Sequence, residues 1–104
     1  MRCKSICSVK IFREIKLCRP IFFDHFVVRV MPSTEMSLGI ITSKKNGNAV
    51  VRNRIKRRIR HAFMCATYQN SKVKTQRVLI ITKKSTLTAN FSTIVKNLMY
   101  AISK

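Results

Sequence analysis

Cationic side chains are concentrated in one short part of the chain, residues 44–60. Eight of the 22 Lys and Arg residues lie in this stretch, which contains no Asp or Glu. Arginine outnumbers lysine there, and its planar guanidinium suits contacts to two phosphate oxygens at once. The stretch therefore predicts the binding of a polyanion through its phosphates, rather than a reaction in which the protein breaks a bond.

The composition of the whole chain predicts a folded domain with a highly charged surface. The 104 residues carry a formal net charge of +19, yet 46% of them are hydrophobic. Disordered basic tails are poorer in apolar residues, so we predict one folded domain over residues 1–104. Self-repulsion at this charge destabilises the folded state unless an anionic partner screens it. Nucleic acid is the first candidate and an anionic membrane surface the second. The apolar runs are too short for a transmembrane helix, and we expect no secretion signal.

Carboxylates are too few to build a catalytic centre. Glu14, Asp24 and Glu35 are the only acidic side chains, and they are far apart in the sequence. Two-metal nucleases and paired-carboxylate hydrolases need several acids that converge on one point. We therefore expect no catalytic residue in this protein.

Cysteines offer little support for a metal site or for disulfides. The chain has four of them, Cys3, Cys7, Cys18 and Cys65. Structural zinc sites usually show two closely spaced ligand pairs, whereas only Cys3 and Cys7 form a pair here. We expect no metal held by the protein. Reduced thiols are typical of a cytoplasmic protein, and we predict that location.

Secondary-structure patterns place helices and strands in alternation along the chain. A helix is predicted over residues 8–17, ended by Pro20, and a strand over residues 22–31. A turn at residues 32–35 leads to a second strand at residues 37–43. The short connection predicts that these two strands are antiparallel.

The cationic stretch itself is predicted to form a long helix. Asn48 is a good N-cap, and the helix is predicted over residues 49–66. Its apolar stripe consists of Val51, Ile55, Ile59, Ala62 and Phe63. This stripe is expected to pack on a sheet, which leaves no bulky apolar residues for insertion into a membrane.

Cations surround that stripe. At about 100° per residue, Arg52, Lys56 and Arg60 form a ridge on one side of it. Asn53 and Arg57 lie just beyond the ridge, and the remaining cations, Arg54 and Arg58, continue around the back of the helix.

The rest of the chain completes the fold. After a polar connection at residues 72–77, the apolar run at residues 78–82 predicts a strand buried on both faces. A closing helix is predicted over residues 88–102. These elements add up to an α/β two-layer sandwich.

Residues 43–60 read SKKNGNAVVRNRIKRRIR. This run resembles the signature of the bacterial ribonuclease P protein component. The signature is Ser-Lys-Lys, any residue, Gly-Asn-Ala-Val, any residue, Arg-Asn-Arg, then Lys-Arg and a further Arg one turn later. The order of the other predicted elements also matches, so the resemblance covers nearly the whole chain.

The resemblance implies both a fold and a function. It implies an αβββαβα sandwich with a left-handed βαβ crossover, against the usual handedness. It further implies that the protein binds one catalytic RNA, and that together they remove the 5′ leader of precursor tRNA. In such a particle the RNA performs the hydrolysis with Mg²⁺ that the RNA mainly binds. No obligate protein partner is implied.

The resemblance also assigns residues to RNA contacts. The positions that match the family signature are Lys44, Lys45, Asn48, Arg52, Asn53, Arg54, Lys56, Arg57 and Arg60. Phe12 and Phe26 match aromatic residues of a central cleft that binds the single-stranded leader. The cleft lies between the first helix, the sheet and the Arg-Asn-Arg helix. Aromatic rings could stack on unpaired bases there, although core packing is the favoured interpretation for Phe26.

Three positions depart from the family pattern. Lys16 stands where the family often has a second aromatic residue, and Arg29 where it often has Tyr. Ser37 replaces an Arg that usually precedes the next strand's apolar-Gly step. These departures predict weaker stacking and stronger charge in the cleft.

Two other functions remain open from the sequence. A basic ribosomal protein or a general RNA-assembly protein shares the size and composition, and only the run at residues 43–60 argues against it. A metal-free protein ribonuclease is the second alternative, with His25 and His61 as base and acid. Nothing in the sequence places these two histidines near each other.

Overall fold

The computed structural model describes residues 4–5, 9–34, 36–42, 45, 47–69 and 75–103. For residues 4–5, 9–12 and 69 the description covers the backbone alone. In chain order the elements are β1 (Lys4–Ser5), α1 (Val9–Lys16), β2 (Pro20–Phe22), β3 (Phe26–Pro32), β4 (Ser37–Ile41), α2 (Ala49–Gln69), β5 (Gln76–Thr82), a 3-10 helix (Lys84–Leu87) and α3 (Phe91–Ile102). The predicted α/β class and the order αβββαβα are confirmed, with the two-residue β1 added in front.

Strand β5 occupies the centre of a five-stranded sheet with the order β1-β4-β5-β3-β2. It pairs antiparallel with β3 and parallel with β4. The strands β3 and β4 run in opposite directions, as the sequence predicts, but they do not pair with each other. Strand β5 lies between them because its consecutive buried residues Val78, Leu79 and Ile80 suit a central position that is covered on both faces. Helix α2 makes the crossover from β4 to β5, and the left-handed sense of this crossover stays a prediction.

One face of the sheet packs against α2 and α3 and forms the main core. Side chains at alternate positions of β3 and β5 point to this face, so the period of two residues decides which ones are buried. The fully buried contributors include Phe26 and Val28 from β3, Val78 and Ile80 from β5, Ile55, Ile59 and Ala62 from α2, and Ile94 and Leu98 from α3. Each large side chain stabilises the fold by about 1.5–3 kcal/mol through burial.

Helix α1 packs on the opposite face of the sheet. Ile15 of α1 and Leu79 of β5 are fully buried against each other, and Met31 and Ile41 pack around them. Because Leu79 faces α1 while its neighbours face α2 and α3, the apolar run of β5 is buried on both faces, as predicted. The helices are therefore divided between the two sides of the sheet.

Several predicted boundaries move in the structure. The strand predicted over residues 22–31 is a hairpin of β2 and β3, closed by a hydrogen bond from the Phe23 amide to the Phe26 carbonyl at 2.9 Å. Helix α1 ends at Lys16, so Pro20 does not end it. Pro20 instead begins β2, an edge strand, where a missing amide donor is tolerated.

The second half of the chain shows similar shifts. Helix α2 runs three residues further than predicted, to Gln69. The closing helix begins later, at Phe91, because the Asn90 side chain caps it by accepting a hydrogen bond from the Ser92 amide at 2.9 Å. Within the described ranges, no helix combines the length and the apolar character that crossing a membrane requires.

Candidate nucleic-acid interface

The start of α2 is built by a tight turn and a side-chain cap. Asn48 accepts a hydrogen bond from the Val51 amide at 3.0 Å through Oδ1, so its predicted role as N-cap is confirmed. Gly47 has a φ of +133°, which L residues with side chains rarely adopt. A Cβ at this position would lie 2.8 Å from Cγ1 of Val51. Gly47 thus allows the chain to approach the first turn of the helix closely.

Cationic side chains line the solvent side of the helix that this turn starts. Asn53, Arg54, Arg57 and Arg60 are exposed, and Arg52 and Lys56 are half-buried beside the core stripe. We call Arg52, Arg54, Lys56, Arg57 and Arg60 the cationic rail. The rail extends over eight residue steps, or about 12 Å along the helix. Lys45 is exposed just before the helix begins.

Arg58 does not belong to the rail, which corrects the prediction that it continues the cationic surface. Its Nη2 donates a hydrogen bond to the carbonyl of Ala89, and its guanidinium carbon lies 5.8 Å from the centre of the Phe91 ring. Both partners lie at the start of α3. Arg58 therefore joins α2 to α3, a role that spacing along α2 does not indicate because both partners belong to another part of the chain.

The assignment of Phe26 to the leader cleft is wrong in this structure. Its side chain has no exposed surface and lies in the main core, on the face of the sheet opposite α1. Its ring packs against Phe23, with 5.3 Å between ring centres. A base could reach this ring only if the core opened, so the core interpretation that the sequence already favoured is the correct one.

The structure describes one of the predicted contact residues only in part and another not at all. Lys44 is outside the described residues. Phe12 lies in α1, but its side chain is outside the described part of the structure. Their roles stay predictions.

The α1 side of the sheet carries a second group of cations. Arg13, Lys16 and Arg19 are exposed there. Arg29 of β3 extends to the end of α1, where its Nη1 donates hydrogen bonds to the carbonyls of Lys16 at 2.7 Å and Cys18 at 2.5 Å. Sequence reasoning treated Arg29 only as added charge and missed this structural role.

The described residues show neither a metal site nor a pair of catalytic histidines. No group of three or more His, Cys, Asp or Glu among them could hold a metal ion. Nδ1 of His25 lies 2.9 Å from Oγ of Ser85, whereas His61 lines a pocket on α2. The histidines have different surroundings, so the ribonuclease alternative gains no support. The described cysteines, Cys18 and Cys65, are free thiols.

Comparisons with known proteins point to one family. The family model described as Ribonuclease P matches residues 3–104. The Ribonuclease P protein component of Thermus oshimai is 30% identical over 101 residues, which cover 97% of this chain and 64% of that protein. The chain spans between 44% and 64% of the length of the curated relatives that it matches.

Solved structures show the same architecture. The Staphylococcus aureus RNase P protein matches with a TM-score of 0.74 and 27% identity, over 98% of this chain and 94% of that one. The RNase P protein from Thermotoga maritima matches with a TM-score of 0.71 and 23% identity, over 95% of this chain and 94% of that one, which is a likeness of fold.

Proposed function

The chain belongs to the ribonuclease P protein family, and from that premise we propose that it is the RNA-binding subunit of a particle that removes the 5′ leader from precursor tRNA. Its partner in this proposal is a catalytic RNA, and the RNA performs the hydrolysis. The protein binds that RNA and the single-stranded leader. It forms the particle without an obligate protein partner.

One observation carries the proposal, which is the cationic rail on α2. Its exposed members, Arg54, Arg57 and Arg60, stand on a helix whose residues include no Asp or Glu. Like charges spaced four residues apart destabilise a free helix by a few tenths of a kcal/mol per pair. Binding to RNA phosphates relieves this repulsion and releases the counterions that the RNA had condensed. The rail thus suits an extended RNA backbone.

The leader is proposed to bind on the α1 side of the sheet, away from the rail. Arg13, Lys16 and Arg19 give this side positive charge, and Phe12 is the proposed stacking residue. Phe26 is not included among the proposed leader-binding residues because it is buried on the opposite face of the sheet. The proposed arrangement lets the protein contact two RNA segments, one on each side of the sheet.

The proposed Mg²⁺ ions belong to the RNA. Glu14 and Asp24 are both exposed, and they lie on separate elements, α1 and the turn between β2 and β3. Mg²⁺ is usually held by water and phosphate oxygens with one or two carboxylates, and the phosphates of the RNA are abundant where this protein's acids are few, which supports this part of the proposal. Neither residue is proposed to take part in cleavage, and the cytoplasmic location stays a prediction.

The test is leader removal in three parallel reactions with Mg²⁺. One contains the protein alone, one a bacterial ribonuclease P RNA alone, and one both. We expect no cleavage by the protein alone and more product from both together than from the RNA alone. Cleavage by the protein after thorough nuclease treatment would contradict the proposal. Failure of the protein to bind or assist that RNA, together with binding to ribosomal RNA, would favour the ribosomal-protein alternative.

A further inference from the structure

The last two turns of α2 expose apolar side chains that neither the core nor the cationic rail accounts for. Tyr68 is 89% exposed and Met64 is 55% exposed. Together with His61 and Cys65 they line a surface pocket of about 300 Å³. An exposed aromatic ring does not gain the free energy that burial of its apolar surface would give. The exposed apolar patch around Tyr68 is therefore a candidate contact site for a partner.

The pocket continues the surface of the cationic rail. Residues three and four positions apart are neighbours on a helix surface. Arg57 is therefore followed on its row by His61, and Arg60 by Met64 and then Tyr68. Tyr68 lies eight residues beyond Arg60, which is about 12 Å along the helix. A strand of RNA that follows the rail reaches this pocket without leaving the helix.

The lining of the pocket matches the chemistry of an unpaired base. A base has a flat face that stacks on aromatic rings, and the almost entirely apolar lining of the pocket, with the Tyr68 ring beside it, suits that face. The pocket volume is at the lower limit of the usual range for small-ligand sites, which suits a single base better than a larger group. No carboxylate stands on α2 to repel the attached phosphates.

A protein helix is a poorer match for the same surface. A helix that docks through apolar residues needs a groove several turns long. Here the turns next to the pocket carry Arg57 and Arg60, which face solvent. Charge complementarity and continuity with the rail thus both favour RNA.

We propose that the pocket formed by His61, Met64, Cys65 and Tyr68 binds one unpaired base of the RNA whose phosphates lie along the rail, with the Tyr68 ring as the stacking surface. This inference rests on the proposed function for the identity of the partner. It adds a base-contacting site to a surface that otherwise contacts only the RNA backbone.

The first test compares tyrosine variants in equilibrium binding to a full-length bacterial ribonuclease P RNA at several salt concentrations. Stacking is worth about 1–3 kcal/mol per base, so Tyr68→Ala should weaken binding by about five-fold to 150-fold. Tyr68→Phe keeps the ring and should stay within about two-fold of the parent. Tyr100→Ala, which removes a half-exposed tyrosine of α3, is the matched control and should also bind like the parent.

Salt dependence separates the pocket from the rail. Tyr68→Ala should leave the slope of log affinity against log salt unchanged, because it removes no charge. Arg57→Ala should reduce that slope by about 0.7–0.9. A Tyr68→Ala variant that binds as tightly as the parent would overturn the pocket proposal. If the slope of log affinity against log salt is nevertheless smaller for Arg57→Ala than for the parent, the proposed RNA-binding function is still supported.

A second test needs no substitution, because Cys65 lies in the pocket. Alkylation of Cys65 in the parent protein should slow at least several-fold when the RNA is bound, as measured by peptide mass spectrometry. Cys18, at the end of α1 on the other side of the sheet, is the internal control and should react at a similar rate with and without RNA. Equal rates for Cys65 in both states would contradict the proposal.

The outcomes also separate this proposal from the proposed function. If Tyr68→Ala weakens RNA binding but the parent supports no leader removal, the pocket is a base site in a protein with another RNA role. If Tyr68→Ala instead disrupts self-association measured by sedimentation and leaves RNA affinity unchanged, the pocket is a protein contact and the proposal is wrong.

Discussion

Nη1 of Arg29 lies 2.7 Å from the backbone carbonyl oxygen of Lys16 and donates a hydrogen bond to it. Arg29 belongs to β3, and Lys16 is the last residue of α1. The last carbonyls of a helix have no partner within the helix, and a cation at this end also interacts well with the helix dipole. Arg29 therefore fixes the end of α1 to β3. The acceptor is the backbone of Lys16, so this contact does not depend on the side chain at that position.

Replacement of Arg29 should weaken the docking of α1. Arg29→Met keeps most of the side-chain length but removes the donors to Lys16 and Cys18. Hydrogen bonds from charged groups are worth about 1.5–3 kcal/mol, so we expect a loss of about that size in the free energy of unfolding, measured in urea. Arg19→Met removes an exposed arginine nearby and should cost less than about 0.5 kcal/mol. Equal costs for the two variants would contradict this role of Arg29.

The turn before α2 should not tolerate a side chain at Gly47. Gly47→Ala places a Cβ 2.8 Å from Cγ1 of Val51 and forces alanine to a φ of +133°. Backbone strain of this kind costs about 1–3 kcal/mol, so the variant should unfold at a lower temperature than the parent. Val50→Ala changes an exposed neighbour and is the control for general sensitivity of this helix start. A melting temperature of Gly47→Ala equal to that of the parent would show that the turn relaxes freely.

Substitutions at two neighbouring arginines of α2 should have different effects, one on RNA binding and the other on the stability of the fold. Arg57→Ala should weaken binding and lower the salt slope, with little change in melting temperature, because Arg57 is exposed. Arg58→Ala should lower the melting temperature, because Arg58 joins α2 to the start of α3. The checks are salt-dependent filter binding and thermal unfolding of both variants. If Arg58→Ala behaved like Arg57→Ala in both assays, the structural assignment of Arg58 would fail.

The sequence predicted elements well because their signals are local. Helical spacing of Ile55 and Ile59, the Asn48 cap and the apolar run around Leu79 each depend on residues close in the chain, and the structure confirms them. Strand pairing is not local. Nothing between β3 and β4 reveals that β5, about 35 residues further along the chain, separates them.

The candidate site was predictable to the same extent. The cationic rail could be predicted because all of its members lie on one helix, and the apolar stripe shows which face of that helix packs against the core. The roles of Arg29 and Arg58 depend on the carbonyls of Lys16 and Ala89, which belong to other elements. Composition and spacing count both arginines as charge, and only the tertiary fold distinguishes the ones that hold helices together from the ones that face a partner.

Two phenylalanines that the family resemblance placed in one cleft should behave differently. Phe26→Ala removes a fully buried ring and should cost about 3–5 kcal/mol of stability, measured in urea. Phe12→Ala is predicted to weaken precursor tRNA binding by about ten-fold through lost stacking, with little effect on mature tRNA or on assembly with the catalytic RNA. Circular dichroism must first show that the Phe12→Ala variant is folded. Since Phe26 lies in the core beside α2 and α3, any binding loss in Phe26→Ala should affect precursor and mature tRNA alike. A folded Phe12→Ala variant that still distinguishes precursor from mature tRNA as well as the parent would remove Phe12 from the leader site.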